Sequence, residues 1–487
     1  MKFKGWIPLA IVAALLATVA ADAAGAESSL DERIAAAVAQ YEKKSSASVG
    51  LSVLDLRSAR PIALYKPDEL RAPASNQKLL TSCVALARLG EDFCFVTAVY
   101  RIGDDVVVVG NGDPTLGDPY LASQRGGTVY DELDRWCISI RQSFDGGQRP
   151  VGNLLLCASG SPGEWRHVDW PADQAREWYV APVAELNFGN NCIDVSLKVS
   201  GGVVTPVTSP ASPFIAVLGK VSAGSAQRWS ALPAADCSSV TFSGVAKSST
   251  TEAISKAVDS PPMLLGRTLA GRMQQAGVKL AGQIRLGSPQ EVDWVRAKPL
   301  AATSTPLAVA MARANKRSLN MAAECMFLAA GDRTWAGSAR IASQTLTSSY
   351  GVNAASIQIR DGSGLSGRDR VSAAAMTQML ASAAARKDAA VLLASLPIAG
   401  VDGTLSERMT DGPAKGLVLG KTGWIAGVCS LSGYVLDDQG RAAMAFSILA
   451  NGVRGGEASL AKAMQDGICG MLAEAAAVGR KQDAVKK

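Results

Sequence analysis

Strand patterns stand near both ends of this 487-residue chain, with a long helical stretch leading into the second of them. Residues Ala47 to Leu54 alternate apolar and small side chains, the period a half-buried strand requires. A turn at Ser58-Ala59-Arg60-Pro61 leads to a short partner, Ile62 to Tyr65. Pro73-Ala74-Ser75 then opens a helix that runs to about Leu89. At the far end, Leu417 to Val435 and Ala442 to Asn451 read as two strands joined by the turn residues Asp437-Asp438-Gln439-Gly440. A last helix covers Ala458 to Ala476. Before them, the sequence after Thr305-Pro306 is Ala-rich and helical. Pro306 suits a first helical position with Thr305 as cap, and further helices are predicted near Ser318 to Leu328, Thr334 to Tyr350 and Ser372 to Ala385. The expected fold is one α/β (α+β) domain closed by its two termini.

From about Phe95 to Ser288 the character changes. Val106 to Val109, Leu154 to Leu156 and Ile193 to Val199 are short strand candidates with Gly and Pro punctuation between them. Two helical windows interrupt them, Val129 to Phe144 and Met263 to Ala276. This block is expected to be a mostly-β insertion of two small domains. The predicted division is therefore 1–26, 27–94, 95–288 and 289–487, with the second and fourth segments forming one domain around the third.

Segment 1–26 reads as a secretory signal. Lys2 and Lys4 precede an apolar run from Ile7 to Ala20, and the small residues Ala21 to Ala26 follow, so cleavage after Ala23 or Ala26 is expected. No later segment is apolar and long enough to span a bilayer, which predicts an exported, periplasmic protein with no stable membrane span after cleavage. Nine cysteines would then meet an oxidising compartment; the odd count leaves at least one unpaired, and spacing does not fix the pairing. Cys83, Cys325 and Cys429 lie in apolar stretches and read as buried small hydrophobes. The formal charge of +6, without a basic patch interleaved with aromatics, gives no case for nucleic acid.

The chain has one histidine, His167. A multi-histidine metal site is thereby excluded, and no metal or cofactor is expected. A Ser-His-Asp hydrolase would have to be built on that residue, which lies in the inserted block and is expected to be a surface or packing histidine. A second chemistry needs no imidazole. Ser75-Asn76-Gln77-Lys78 puts a hydroxyl and an amine three residues apart on one helix face, where a desolvated, neutral lysine can take the serine proton. The same spacing recurs at Ser459 and Lys462 in what reads as an ordinary surface helix, so this pattern alone decides nothing. Two further motifs do. Ser318-Leu319-Asn320 is the chain's only Ser-x-Asn, at a helix start where a serine is usually just a cap. Lys421-Thr422-Gly423 is its only Lys-Thr-Gly, on a predicted strand whose glycine lets a ligand backbone approach. The order Ser-x-x-Lys, Ser-x-Asn, Lys-Thr-Gly is the set found in β-lactamases and penicillin-binding proteins.

With these motifs the sequence resembles the serine D-Ala-D-Ala peptidases, and its spacing narrows the resemblance. Ser75 and Ser318 are 243 residues apart, which is similar to the low-molecular-mass class C group, peptidase family S13, where a large insertion parts the first two motifs. Gly112-Asp113-Pro114-Thr115-Leu116, Asp361-Gly362-Ser363-Gly364-Leu365-Ser366 and Gly403-Thr404-Leu405 also resemble that group. The resemblance implies a β-lactamase/transpeptidase-like, penicillin-recognising domain in two pieces. It implies carboxypeptidase and endopeptidase action on peptidoglycan stem peptides and cross-links through a Ser75 acyl-enzyme, with β-lactams as covalent inhibitors. Carried over by position, Ser75 is the nucleophile, Lys78 the general base and Ser318 a proton relay. Lys421 lowers the proton affinity of Lys78 and attracts the substrate carboxylate. Thr422 and Gly423 line that subsite, Asn320 holds the peptide backbone, and the N–H groups of Ser75 and Trp424 form the oxyanion hole. Two departures stand out: Leu319 replaces an acid common in the middle motif, and Phe188-Gly189 stand where relatives often carry an acid for the substrate's amino end. A β-lactamase, or a non-catalytic wall-binding module on the same fold, are the alternatives. The first would need an added deacylating acid, and the second would favour loss of Ser75, Lys78 or Lys421.

Overall fold

A computed structural model describes residues 28–158 and 164–485, with side chains to residue 477. The signal segment and the basic end, Arg480-Lys481 and Lys486-Lys487, lie outside the described residues or side chains. The terminal strands do share one sheet. Its antiparallel order is Val418–Ile425, Gly427–Leu436, Ala442–Val453, Ser48–Asp55, Pro61–Tyr65. The join between the chain's two ends runs in register from Ser48 opposite Asn451 to Asp55 opposite Met444.

Alternation gives this sheet two buried faces. Val49, Leu51, Val53, Phe446 and Ile448 face a pair of terminal helices, Leu30–Lys44 and Ala458–Val485, through Ile34, Val38, Ile468 and Leu472. Tyr434, Ala445 and Leu449 face the helical layer on the other side. In the middle of that layer runs the helix Gln77–Leu89, buried at every position from Gln77 to Leu86. A helix enclosed all round can carry a polar side chain only where partners await it. Lys78 is one such side chain.

The inserted block has a mixed sheet, ordered Ile284–Gly287, Leu154–Cys157, Asp105–Gly110, Cys94–Ile102, Lys298–Pro306. Leu154–Cys157 pairs in parallel with both neighbours, whereas Cys94–Ile102 is antiparallel to both of its own; Leu154–Cys157 and Asp105–Gly110 are apolar on both faces, as buried parallel strands are. Val106, Val108, Leu154 and Leu156 face the helices Asp131–Ser143 and Pro261–Gln275, while Val107 and Leu155 face the other way. Two three-stranded sheets complete the block and share the larger of these cores.

Several expectations need correction. Leu417 to Val435 is a hairpin rather than one strand: Ile425 pairs with Val428, and Gly427 takes the turn at φ 80°. The helix expected at Pro306 begins at Leu307, because Thr305 belongs to the preceding strand and donates to Asp113 Oδ2 (2.8 Å) instead of capping. The helix expected from Ser318 begins at Asn320, and Ser318 caps nothing. All nine cysteines are free, eight of them buried, so packing is what the structure shows for Cys83, Cys325 and Cys429. His167 is 6% exposed, its ring edge-on to Trp335 and its Nδ1 accepting the Asp169 N–H, which is a packing role. No helix among the described residues is long and apolar enough to cross a membrane.

Candidate active site

Ser75 lies half-buried in a tight turn, Ala74–Asn76, at the head of the central helix. The turn is forced. Ala74 has φ 48°, a left-handed conformation that an alanine keeps only when its surroundings impose it. Gly364, at φ 79°, packs so tightly that a Cβ there would stand 1.8 Å from the Ala74 carbonyl oxygen. Ser430 Oγ donates to the Pro73 carbonyl (2.6 Å). Asn76, oriented with Nδ2 donating to the Lys421 carbonyl (2.7 Å), accepts from Ser432 Oγ (2.6 Å) and so ties the turn to the sheet.

The strand bearing Lys421, Thr422, Gly423 and Trp424 is the sheet's edge and passes directly over this turn. A Cβ on Gly423 would lie 2.8 Å from the Pro73 carbonyl oxygen and 3.0 Å from the Ser75 nitrogen. The close approach that this glycine permits is thus by the protein's own serine turn, not by a ligand. It brings the edge strand against the Ser75 nitrogen, and the Trp424 side chain is exposed.

Lys78 is wholly buried, and its Nζ has three neighbours. It lies 2.8 Å from Ser75 Oγ and donates to Asn320 Oδ1 (2.7 Å) and to the Ser363 carbonyl (2.9 Å). A neutral amine has two N–H bonds and one lone pair. With both hydrogens drawn to Asn320 and Ser363, the lone pair is left pointing at the Ser75 hydroxyl. Burial lowers the Lys78 ammonium to about 7, against the pull of the Glu324 and Asp361 carboxylates, which raise it. Of the two expected agents of that lowering, desolvation is the cause, and Lys421 does not contribute to it. Lys421, equally buried, is itself held well below the usual lysine range, by burial first and then by the charge of Lys78.

Lys421 Nζ donates to Ser318 Oγ (2.9 Å) and to the Thr422 carbonyl (2.7 Å). Ser318 takes φ 57°, which aims it at Lys421 rather than at a helix end. Asn320 Nδ2 donates to the Tyr179 carbonyl (2.7 Å), so the inserted block braces the amide that orients Lys78. Thr422 Oγ1 donates to Thr404 Oγ1 (2.8 Å). Leu319 is buried beside a recess of about 70 Å³ lined by Trp178, Asn190 and Asp194, while Phe188 lies in the core of the insertion. The second Ser-x-x-Lys is a surface feature: Ser459 is exposed, and its hydroxyl donates to the Gly456 carbonyl just before its helix. A cavity of about 680 Å³ beside His167 and Trp335 is lined by neither Ser75 nor Lys78.

The structure thus gathers Ser75, Lys78, Ser318, Asn320, Lys421, Thr422 and Gly423 into one linked cluster. It adds four residues that sequence reasoning left out of the site: Glu324, Asp361, Ser363 and Thr404. Three of the four lie in stretches already marked by resemblance, and Glu324 stands one helical turn after Asn320.

The chain is similar to known proteins. The chain is 32% identical to a D-alanyl-D-alanine carboxypeptidase of Actinomadura sp. (strain R39), over 96% of this chain and 89% of that one. It is 26% identical to the D-alanyl-D-alanine carboxypeptidase DacB of Haemophilus influenzae, over 84% and 86%. The crystal structure of penicillin binding protein 4 (dacB) from Haemophilus influenzae superposes with a TM-score of 0.71 at 23% identity, covering 88% of this chain and 98% of that one. That likeness fixes the fold as the α+β one of a penicillin-binding protein. A family profile described as D-Ala-D-Ala carboxypeptidase 3 (S13) matches residues 30–475, nearly the whole described chain, and the protein belongs to that family.

Proposed function

We propose that this S13 peptidase hydrolyses the terminal D-Ala-D-Ala bond of peptidoglycan stem peptides through a Ser75 acyl-enzyme. The observation that carries the reading is the 2.8 Å approach of a buried lysine amine to Ser75 Oγ, with its two N–H bonds engaged elsewhere. Ser75 attacks the carbonyl carbon of the penultimate D-Ala as its proton passes to Lys78. The N–H groups of Ser75 and Trp424 receive the oxyanion, each donor of this kind contributing about 3–4 kcal/mol to the transition state. Ser318, hydrogen-bonded to Lys421, gives its proton to the leaving nitrogen and is reprotonated from the lysine side, so that the proton taken by Lys78 is returned and free D-Ala departs. Water then attacks the ester and Ser75 is restored. Lys421 and the Thr422–Thr404 hydroxyl pair take the substrate's terminal carboxylate, Gly423 gives the edge strand its close fit over the serine turn, and Asn320 serves both Lys78 and the peptide backbone.

The same steps act on a cross-link when the departing amine belongs to a second stem peptide, and endopeptidase action is part of the proposal. β-Lactams acylate Ser75 and leave slowly, since their ring carbonyl meets the same groups; the Haemophilus protein has been crystallised with a β-lactam. We read the chain as a penicillin-recognising domain in two pieces, 27–94 and 289–487, around an insertion, 95–288, whose sheet borrows the edge strand Lys298–Pro306. Export to the periplasm by segment 1–26 completes the reading.

A pentapeptide ending in D-Ala-D-Ala is expected to yield free D-Ala, measured by an amino-acid oxidase assay, and one ending in L-Ala is not. Fast hydrolysis of penicillin with no release of D-Ala would favour the β-lactamase alternative instead.

A further inference from the structure

Glu324 lies on the Asn320–Ala330 helix, four residues after Asn320 and therefore on the same face. It is wholly buried. Its Oε2 accepts the Gly362 N–H (2.7 Å) and its Oε1 the Ser363 N–H (2.8 Å). The carbonyl of that same Ser363 is one of the two acceptors that orient Lys78 Nζ. The Lys78 helix grips the loop as well: Thr81 Oγ1 donates to the Gly362 carbonyl (2.7 Å) and Gln77 Nε2 to that of Asp361 (3.2 Å). One helix thus sends Asn320 to the amine directly and Glu324 to it through a backbone carbonyl.

Two other acids share this pocket. Asp361 accepts from the N–H groups of Gly364 and Ser366 and from Trp170 Nε1. Asp369 Oδ1 accepts from Arg360 and Asp361 N–H, and its Oδ2 has no hydrogen-bond partner. Burial and the neighbouring Asp361 charge push Asp369 well above the carboxylate range, so the neutral acid fits there. Burial and Asp361 also push Glu324 well above the usual carboxylate range, against the weaker downward pull of the Ser363 and Gly362 amides and of Lys78. With both of its oxygens accepting N–H, the ionised form fits Glu324. The ionisable groups facing Lys78 are therefore Glu324 and Asp361 on one side and Lys421 on the other.

A neutral side chain would close a loop without the cost of burying a carboxylate. What the charge adds is its effect on the amine beside it. We propose that Glu324 is a positioning residue for acylation: it fixes the Ser363 carbonyl against Lys78 Nζ, and its buried negative charge keeps that amine basic enough to take the Ser75 proton. The inference rests on Lys78 being the general base. Desolvation alone would carry the amine lower, and a base far below the operating pH transfers protons poorly.

The test is the second-order rate of acylation by fluorescent penicillin, from about pH 5 to 10, for the full chain and its Glu324→Gln, Glu324→Asp and Lys78→Ala variants. Glu324→Gln is expected to lower the plateau roughly 10- to 100-fold and to move the acid limb down by on the order of one pH unit. Glu324→Asp keeps the charge, so its limb stays in place and part of the rate returns. A Glu324→Gln limb that does not move, whatever the plateau, overturns the proposal and leaves Glu324 a loop tie. If Glu324→Gln does not fold, Glu324→Asp decides, and a limb displaced despite the retained charge counts against it. Normal acylation by Lys78→Ala would instead remove the base assignment itself; loss of acylation there beside an unmoved Glu324→Gln limb would sink this inference alone.

Discussion

Replacing Ser75 with Ala is expected to abolish covalent labelling by fluorescent penicillin and to lower D-Ala release by roughly 10⁶-fold, the scale on which loss of a serine nucleophile is felt. The fold should not suffer. Ser75 is half-buried, and its hydroxyl is within hydrogen-bond distance of Lys78. The turn that presents it is held by its neighbours, through Gly364 against Ala74, Ser430 on Pro73 and Asn76 on Lys421. Thermal unfolding of the variant should therefore match that of the parent. Labelling that survives would move the nucleophile elsewhere, and Ser318, 2.9 Å from Lys421 Nζ, would be the first residue to examine.

Lys78→Ala is expected to cut acylation by about 10²–10⁴-fold, the usual worth of a positioned general base. Unlike Ser75, this side chain is structural as well. It is fully buried, and its removal leaves Asn320 Oδ1 and the Ser363 carbonyl without their donor around a new cavity. A loss of about 2–5 kcal/mol follows from comparable large-to-small core changes, so the melting temperature should fall while the native fold persists. The proposed capture of the substrate carboxylate uses Lys421 and Thr422, which keep their own contacts in this variant. Competition by a D-Ala-D-Ala peptide analogue, measured by equilibrium binding, should thus change far less than the rate.

Much of the fold was legible because its strands alternate and its motifs keep their order. The terminal strands and the helices after residue 306 announced a domain closed by its two ends. The failures have local causes. The helix Leu30–Lys44 was passed over although Ser29 and Glu32 form its capping box. Lys298–Pro306, with prolines near each end and small residues between, carries no clear strand pattern, but it is an edge strand, where proline is tolerated. The strand pair at Ile425 and Val428 was fused because only Gly427 marks the turn between two apolar runs. For the site, side-chain types in motif order identified Ser75, Lys78, Ser318, Asn320 and Lys421. Acceptors on the backbone left no such trace. The carbonyls of Ser363 and Tyr179 act whatever side chains they carry, so only the folded chain reveals them.

The reading also explains how an enzyme with one remote histidine obtains a base. Burial, rather than a neighbouring cation, strips the Lys78 ammonium of its stability in water, and two fixed acceptors aim what remains at the serine.

The pH dependence of acylation by the unmodified protein tests this most directly. A base with a pKa of about 7 is protonated, and idle, below that pH, so the second-order rate constant should rise as pH increases through about 7 and level off above it. An acylation rate that is flat down to about pH 5, or that rises only near the ordinary lysine range around pH 10, would contradict a buried, neutral Lys78 as the group that activates Ser75.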